Sequence, residues 1–423
     1  MIFIFISYKY FIHYYIFSLN RTFQLEFLLY LSIILCNFKY LIVKKTVMIF
    51  KRMNLMKTKK MFQKVIVTTS LLCLAGVSQA EDFKRFSISS GWLHMSSMGK
   101  AQPFRINTSV GANTKAAVGV ISGQTILDNV DQSRIDAMDP TLIELLNAPS
   151  NVEGRYLFDD LLDAIMADDP SLIDQLTGIS EINGIANWTS NAGLEVEDVD
   201  TLGLMFTYNV TDNVALQLIG GIPPKVDLKG KGAVYAPFTA TSQPLGGLVG
   251  DLYLKNNLLI TDLDSYNTAA SARAWTPAIQ AQYYFGKSGV NKFRPFVGAG
   301  IMYAYFNDIK INSGIKNDLV NAGHMIQNIH DGKAGASLEG KTSSGNMKVK
   351  VDATDAVAPI VTAGFTYDFK PNWFATASIS YAKLDNTATI SVVNTNNNAR
   401  LIQAKTKIEI DPLISYVGVG YRF

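Results

Sequence analysis

The chain has 423 residues, 48% of them hydrophobic and 17% charged, with a formal net charge of +3 and two cysteines. Residues 1–80 hold both cysteines and 11 Lys+Arg against one Glu, and that surplus of ten turns the +3 into −7 for residues 81–423. The overall basic balance is therefore no sign of nucleic-acid binding, and disulfides and thiolate metal sites are excluded from everything after residue 80.

The first 50 residues contain no Gly, Ala, Pro or Asp, and Phe, Ile, Tyr, Leu, Asn and Lys make up 36 of them. Those six residues use AT-rich codons. Residues 1–52 are accordingly expected to be an upstream stretch translated from too early a start, the competing reading being a membrane helix around 27–43. Residues 53–80 have the form of an export signal. Lys57, Lys59, Lys60 and Lys64 form its basic part, 65–77 its apolar part, and Ser78 and Ala80 its small-residue cleavage positions. The apolar part is too short to span a bilayer, so cleavage is expected before Glu81.

No later segment offers the ~20 apolar residues of a membrane helix. What recurs is period-two alternation over about ten residues, the pattern of a barrel strand with one lipid face and one lumen face. Strands are expected at 84–96, 200–209, 213–227, 275–285, 295–305, 356–368, 373–381 and 413–423. The connections at Thr211-Asp212-Asn213, 286–292 and 369–372 are short and rich in turn formers. They alternate with long polar stretches at 97–199, 229–271, 307–355 and 385–407. The fold class is thus all-β: an eight-stranded antiparallel transmembrane barrel, with turns in the periplasm and loops outside. Trp275, Tyr283, Trp373, Tyr381 and Tyr421 would form its interfacial girdles. The alternative is a soluble sandwich or lipocalin-like barrel, because parity alone cannot tell inside from outside.

The stretch 105–199, between the first two strands, is expected to be a long, acidic, partly helical extracellular insertion. Residues 128–200 contain 17 Asp+Glu and only Arg134 and Arg155, a net −15. Asp139-Pro140 and Asp169-Pro170 open two near-repeats, each with Asp as N-cap and Pro at the first helical position. Between them Leu157, Phe158, Leu161, Leu162, Ile165 and Met166 mark one helical face, with Asp159, Asp160 and Asp163 opposite. A loop of this length is usually functional or disordered, so a solvated decoration stands against a lid or adhesive surface. No calcium-loop spacing is present, and neither metal nor cofactor is expected.

TLGLMFTYNVTDNVALQLIGGIPP (201–224), AQYYFGKSGVNKFRPFVGAGIMYAYFND (281–308), WFATASISYAKLDNTAT (373–389) and IDPLISYVGVGYRF (410–423) resemble the OmpW family of outer-membrane barrels. The resemblance implies a monomer with a narrow, largely apolar channel that passes small hydrophobic solutes and releases them sideways into outer-membrane lipid. Two bulky lumen residues narrow the family's channel. One matches Ile219, whereas the other, an aromatic, falls on Ser380, so that the channel is wider or Phe296, Phe374 or the first loop closes it. By parity the channel-lining residues are Gln217, Ile219, Gln280, Gln282, Phe296, Met302, Ser378 and Ser380, and Gly298, Gly300, Gly418 and Gly420 would leave room in the lumen. Val419, Tyr421 and Phe423 end the chain in the aromatic pattern read by the barrel-assembly machinery.

No HExxH, CxxC, phosphate loop or dinucleotide fingerprint occurs. His94 lies near the outer end of the first strand and is read as interfacial, while His324 and His330 fall in a polar stretch read as a flexible loop. No Ser/His/acid pairing can be derived, so no enzyme is expected. Two functions remain: a channel for small hydrophobic solutes, and a surface-interaction, adhesion or receptor protein whose barrel is a mount for acidic loops.

Overall fold

The computed structural model describes residues 84–423, so the upstream stretch and the export signal lie outside the described residues. Eight strands carry the fold: β1 (Phe86–Ser97), β2 (Val199–Asn209), β3 (Val214–Gly221), β4 (Ala278–Tyr284), β5 (Phe293–Ile311), β6 (Ala356–Asp368), β7 (Trp373–Ala382) and β8 (Pro412–Arg422). Each pairs antiparallel with the next in the chain. β8 returns to β1 in the register Ser87↔Arg422, and the pairing of β4 with β5 leaves no gap in the ring. Every strand has a neighbour on both sides, which satisfies the backbone without water.

Exposure tells inside from outside. Along β4 the residues alternate strictly: Ala278, Gln280, Gln282 and Tyr284 are buried, while Ile279, Ala281 and Tyr283 are exposed. Polar glutamines thus face the interior and apolar side chains face out. The same inversion places Val297, Ile301, Val361, Ile379, Val417 and Val419 on the outer surface, Ile301 with 56% of its area exposed. A soluble barrel would show the reverse. An outer band of branched aliphatics edged by Trp275, Tyr283, Trp373 and Phe423 is a surface for lipid.

The long connections are not loops. β5 runs for 19 residues, roughly 60 Å at ~3.3 Å each, about twice what a bilayer requires. Where it leaves the barrel, Asp308 adopts φ +50° and the pairing with Ala270–Trp275 slips. That outer sheet continues through Lys225–Lys231 to Gly193–Val196. A second sheet orders Leu252–Asp262, Ala233–Gln243, Ile179–Asn183 and Thr114–Ala117. A third orders Met347–Ala353, Asp385–Asn394, Ala399–Glu409, Arg105–Thr108 and Asn187–Thr189. The four polar stretches therefore weave one β-rich cap. The insertion is part of that weave, because its strands pair with all the surrounding sheets, as in Ile106↔Ala404, Ile182↔Ala240 and Leu194↔Gly230. The strand expected over 213–227 stops at Gly221, where Pro223 and Pro224 follow.

Six helices complete the cap: α1 (Gly123–Asn129), α2 (Pro140–Asn147), α3 (Leu157–Asp168), α4 (Ile173–Thr177), α5 (Ser313–His330) and α6 (Ala334–Leu338). Asp139 caps α2 by accepting the Thr141 N–H at 2.8 Å, and the Thr141 hydroxyl holds that carboxyl below its usual range. On α3 only Phe158 and Leu162 are buried, whereas Leu157, Leu161 and Met166 are exposed, so the apolar stripe is wider than the core it serves. His324 and His330 lie in α5, not in a flexible loop. This helix contains Gly314, Gly323 and several Asn, which mask its pattern, yet Ile315, Leu319, Ala322, Ile326 and Ile329 fall on one buried face.

Barrel and cap meet at two bends held by one carboxylate. Asp411, between Ala399–Glu409 and β8, has φ +39°, accepts the Leu384 N–H at 3.0 Å and pairs with Lys383. Replacing it leaves a buried N–H unpartnered and puts a side chain without local hydrogen bonding at positive φ. Asp411→Ala is expected to cost about 1–3 kcal/mol of local stability. Faster protease cleavage within 385–409, with unchanged migration of the folded barrel on unheated gels, is the expected result.

Candidate functional site

The interior is built in layers, because inward residues on neighbouring strands share a height. At the level where Ala278 faces Ile219 and Met302, the lining is apolar: Met205, Ile219, Ala278, Met302, Ile360 and Tyr416 are all buried. This group is continuous with the cap's core, through Ala304, Ala358, Ala382 and Leu384 to Phe104 and Ile106. Within the cap, that core opens into a cavity of about 90 Å³ between the second and third sheets and helices α5 and α6.

One layer toward the periplasm the chemistry changes. Gln217 Oε1 accepts from Gln280 Nε2 at 2.8 Å and from Gln282 Nε2 at 3.0 Å, while Gln217 Nε2 donates to Thr207 Oγ1 at 3.2 Å. Thr362 Oγ1 donates to Gln280 Oε1 at 2.8 Å and lies 2.7 Å from Ser380 Oγ. Tyr284 OH closes the chain on Gln282 Oε1 at 2.8 Å. The belt crosses from β2 to β7 and must pass over β5, where Gly298 and Gly300 stand. A Cβ on Gly298 would come within 3.0 Å of Gln282 Cγ and 3.3 Å of Gln280 Oε1. The other side of the lumen is filled by Tyr416, 1% exposed, whose OH lies 3.2 Å from Ser89 Oγ.

Below the belt lies a polar pocket of about 20 Å³ with two guanidinium groups. Arg422 pairs with Asp368 and sits 4.3 Å above the Phe374 ring. Arg294 donates to the Asp212 carbonyl at 2.5 Å, binding the strand to the first periplasmic turn. Phe296 packs on Tyr284 with ring centroids 5.0 Å apart.

The eight residues assigned by parity to the lumen all point inward and are buried, at different levels. Gln217, Gln280, Gln282 and Ser380 share the belt. Ile219 and Met302 lie above it, Phe296 below, and Ser378 opposite Gly364. The lumen is therefore not largely apolar, since its middle is an amide and hydroxyl layer. Nor do the glycines leave open room. A Cβ on Gly418 would meet Tyr416 OH at 2.4 Å, and one on Gly420 would meet Phe374 Cζ at 2.3 Å, so those spaces hold rings. Val419 and Phe423 are exposed on the outer face, with Tyr421 stacked edge-on between Trp373 and Phe423. Sequence reading missed Thr207, Thr362 and Tyr284 as belt members, although strand parity places Thr362 on the same face as Ile360.

Outside the barrel, His94 Nδ1 lies 2.8 Å from Asp200 Oδ1 and His94 Nε2 lies 3.0 Å from Ser96 Oγ. This is the order of a hydrolytic triad, which sequence reading did not derive. Ser96 Oγ also donates to Asp198 at 3.1 Å, and the Ser97 N–H is engaged by the same carboxylate at 3.1 Å. The hydroxyl and the neighbouring backbone donor thus share one carboxylate, and the cluster ties the outer end of β1 to the segment 198–200.

A family model described as the OmpW family matches residues 320–423. Outer membrane protein W of Vibrio cholerae serotype O1 is 25% identical over 230 residues, covering 54% of this chain and 76% of that protein. Outer membrane protein W of Salmonella typhi is 26% identical over 231 residues, covering 55% and 76%. The crystal structure of the outer membrane protein OprG from Pseudomonas aeruginosa aligns with a TM-score of 0.42 at 14% identity, covering 82% of this chain and 99% of that one.

The belt makes a direct prediction. Gln217→Ala removes the acceptor shared by Gln280 and Gln282, leaving two buried amides short of a partner. Unfolding in urea of the detergent-folded barrel should shift to a lower midpoint, by about 1–3 kcal/mol; an unchanged midpoint would show that the network contributes nothing.

Proposed function

This chain belongs to the OmpW family of outer-membrane proteins, and on that premise we propose that it passes small hydrophobic solutes from the cell surface into the outer membrane as a monomer. The observation that carries this reading is the change of chemistry along the interior. An apolar core runs from the cap down to Ile219, Met302 and Tyr416, then stops at the Gln217–Gln280–Gln282 belt. A hydrophobic solute gains by entering that core and loses by displacing a satisfied polar layer. Straight passage to the periplasm is disfavoured, and the favourable exit is sideways.

The wall offers a place for it at the same height. Between β3 and Lys225–Lys231 stand Ile222, Pro223 and Pro224, and between Ala270–Trp275 and β4 stand Thr276 and Pro277. Three prolines lack the N–H that a ladder needs. The contact across is carried by the Ala274 N–H on the Pro224 carbonyl at 3.0 Å and by Arg273 on the Pro223 carbonyl at 3.1 Å. Opening here breaks few backbone bonds.

The test is uptake of n-octane by vesicles with a lipopolysaccharide outer leaflet. Residues 81–423 contain no cysteine, so Pro224→Cys with Ala274→Cys can lock the wall. Uptake severalfold above empty vesicles, falling to the empty value on oxidation and recovering with reductant, is expected. Uptake no greater than in empty vesicles removes the channel reading.

The exposed Leu157, Leu161 and Met166 on α3, within a segment of net −15, support a second reading as a surface-interaction protein. Changing those three residues to Ser tests it without unweaving the cap, which deleting the insertion would do. Loss of cell or matrix binding with octane uptake intact would favour that reading.

The terminal strand is proposed to be read by the assembly machinery. The Phe423 N–H donates to the Phe86 carbonyl at 2.8 Å, so deletion would remove a ladder bond as well as the ring. Phe423→Ala keeps the bond. It is expected to lower the amount of folded barrel in the outer membrane severalfold while leaving octane uptake per folded molecule unchanged.

A further inference from the structure

The third sheet of the cap has one face that solute passage does not use. Its inner face is apolar: Ile106, Ile390, Ile402 and Ala404 line the cavity, and helix α5 packs on the strands from that side. Its outer face continues the wall of the barrel. From Trp373 to Ala388 every even residue is buried and every odd one is accessible, with no break where β7 ends. The surface that turns Ile379 and Tyr381 toward lipid therefore passes through Lys383 to Thr387 and Thr389 on the sheet above.

Two cations stand opposite each other on that outer face. Thr389 is the cross-strand neighbour of Lys405, and Lys405 is that of Arg105. Both are exposed, and like charges directly opposite in a sheet repel. Nearer the barrel, Lys407 is paired with Asp385 at 3.0 Å and Glu409 at 3.6 Å. Arg105 and Lys405 form no such pair among the described residues. The carboxylate in their row is Asp352, and Thr389 stands between it and Lys405. The other neighbours are neutral and hydrogen-bonding, with Ser391 and Asn107 flanking Gln403 in the next row and Thr189 beside Arg105. Height then limits what this face can meet. Thr389 lies eight residues beyond Tyr381, roughly 26 Å along the strand and about 20 Å above it for a tilt of ~40°. That is the level of the sugars that lipopolysaccharide carries above its acyl chains, and those sugars bear phosphates.

We propose that the outer face of the third sheet, centred on Arg105 and Lys405, binds the phosphorylated core sugars of lipopolysaccharide packed against the barrel wall. A phosphate between the two side chains turns their repulsion into attraction, and the fork of Arg105 can meet two of its oxygens at once. The hydroxyls and amides around them suit the sugar hydroxyls beside that phosphate. A lipid whose acyl chains lie on Ile379 and Tyr381 presents its sugars here without a separate search, which raises their effective concentration at the face. The inference rests on the place of the barrel in the outer membrane and is independent of passage through it.

The test measures, by fluorescence anisotropy, binding of labelled rough lipopolysaccharide to the mature protein folded in detergent. The same lipopolysaccharide stripped of its core phosphates is measured beside it. The wild type is expected to bind the phosphorylated form about three- to tenfold more tightly, a difference that shrinks with added salt. Arg105→Gln with Lys405→Gln should remove the difference, whereas Arg105→Lys with Lys405→Arg, which exchanges the cations, should retain it. Lys115→Gln with Lys255→Gln makes an equal charge change on the second sheet and should leave it intact. Because the double Gln variant relieves a repulsion, its cap should resist protease at least as well as the wild type without lipid, which separates lost binding from lost folding. No phosphate preference in the wild type, a preference that survives the double Gln variant, or an equal loss in the second-sheet variant would each overturn the proposal. So would a heparin fragment that binds through Arg105 and Lys405 where lipopolysaccharide does not, since the face would then serve a soluble polyanion.

Discussion

Closure of the ring by β4 and β5 is the constraint on which the rest of this molecule depends. Inside a bilayer an unpaired backbone group costs several kcal/mol, so a sheet with one open side could not remain at membrane depth. Once the ring is closed, each residue of a strand has only two directions, toward lipid or toward the lumen. Lipid then fixes the chemistry of the outer set, and Val297, Ile301, Val361 and Val417 are exposed because hydrocarbon is their solvent. The inner set is left free to be polar, provided that each polar group finds a partner.

An eight-stranded ring has little interior to spend, and its residues divide that space by size. Glycines on β5 and β8 are not openings but clearances. Gly298 and Gly300 let the glutamines of β4 lie across β5 to Thr362, and Gly418 and Gly420 receive the rings of Tyr416 and Phe374. The missing aromatic at Ser380 is part of the same arrangement. Its hydroxyl extends the amide layer, and Tyr416 supplies bulk from the neighbouring strand, since Ser378 faces Tyr416 and Ser380 faces Ile414 in the register of β7 and β8.

The barrel was legible because each of its strands states its own two faces within about ten residues. The strand expected at 275–285 was legible from parity over Ala278–Tyr284, with the inward direction of Gln280, Gln282 and Met302, whereas Trp275 ends a separate strand because Thr276 and Pro277 break the run. The cap was not legible, because its pairings join segments such as Arg105–Thr108 and Ala399–Glu409 that carry no mark of one another. Polar composition made these segments look like loops, yet in a cap surrounded by water each sheet needs only one apolar face. Helix α5 was hidden for a different reason. Gly323 weakens its propensity but allows close approach to Val392 and Met347, so the residue that disguises the helix is the one that lets it dock.

The cap and the barrel solve opposite problems with the same kind of sheet. The barrel turns its apolar face out and keeps a polar belt inside, whereas the cap, in water, turns its apolar face in. Stacked end to end, the two create a boundary within one protein, where Ile219 and Met302 meet Gln217 and Gln280 across a single strand layer. That boundary follows from solvent, not from any one residue. The lipid that surrounds the barrel wall is the nearest environment equal in polarity to the apolar side of that boundary. The proposed direction of passage rests on this continuity of the apolar interior above the polar belt.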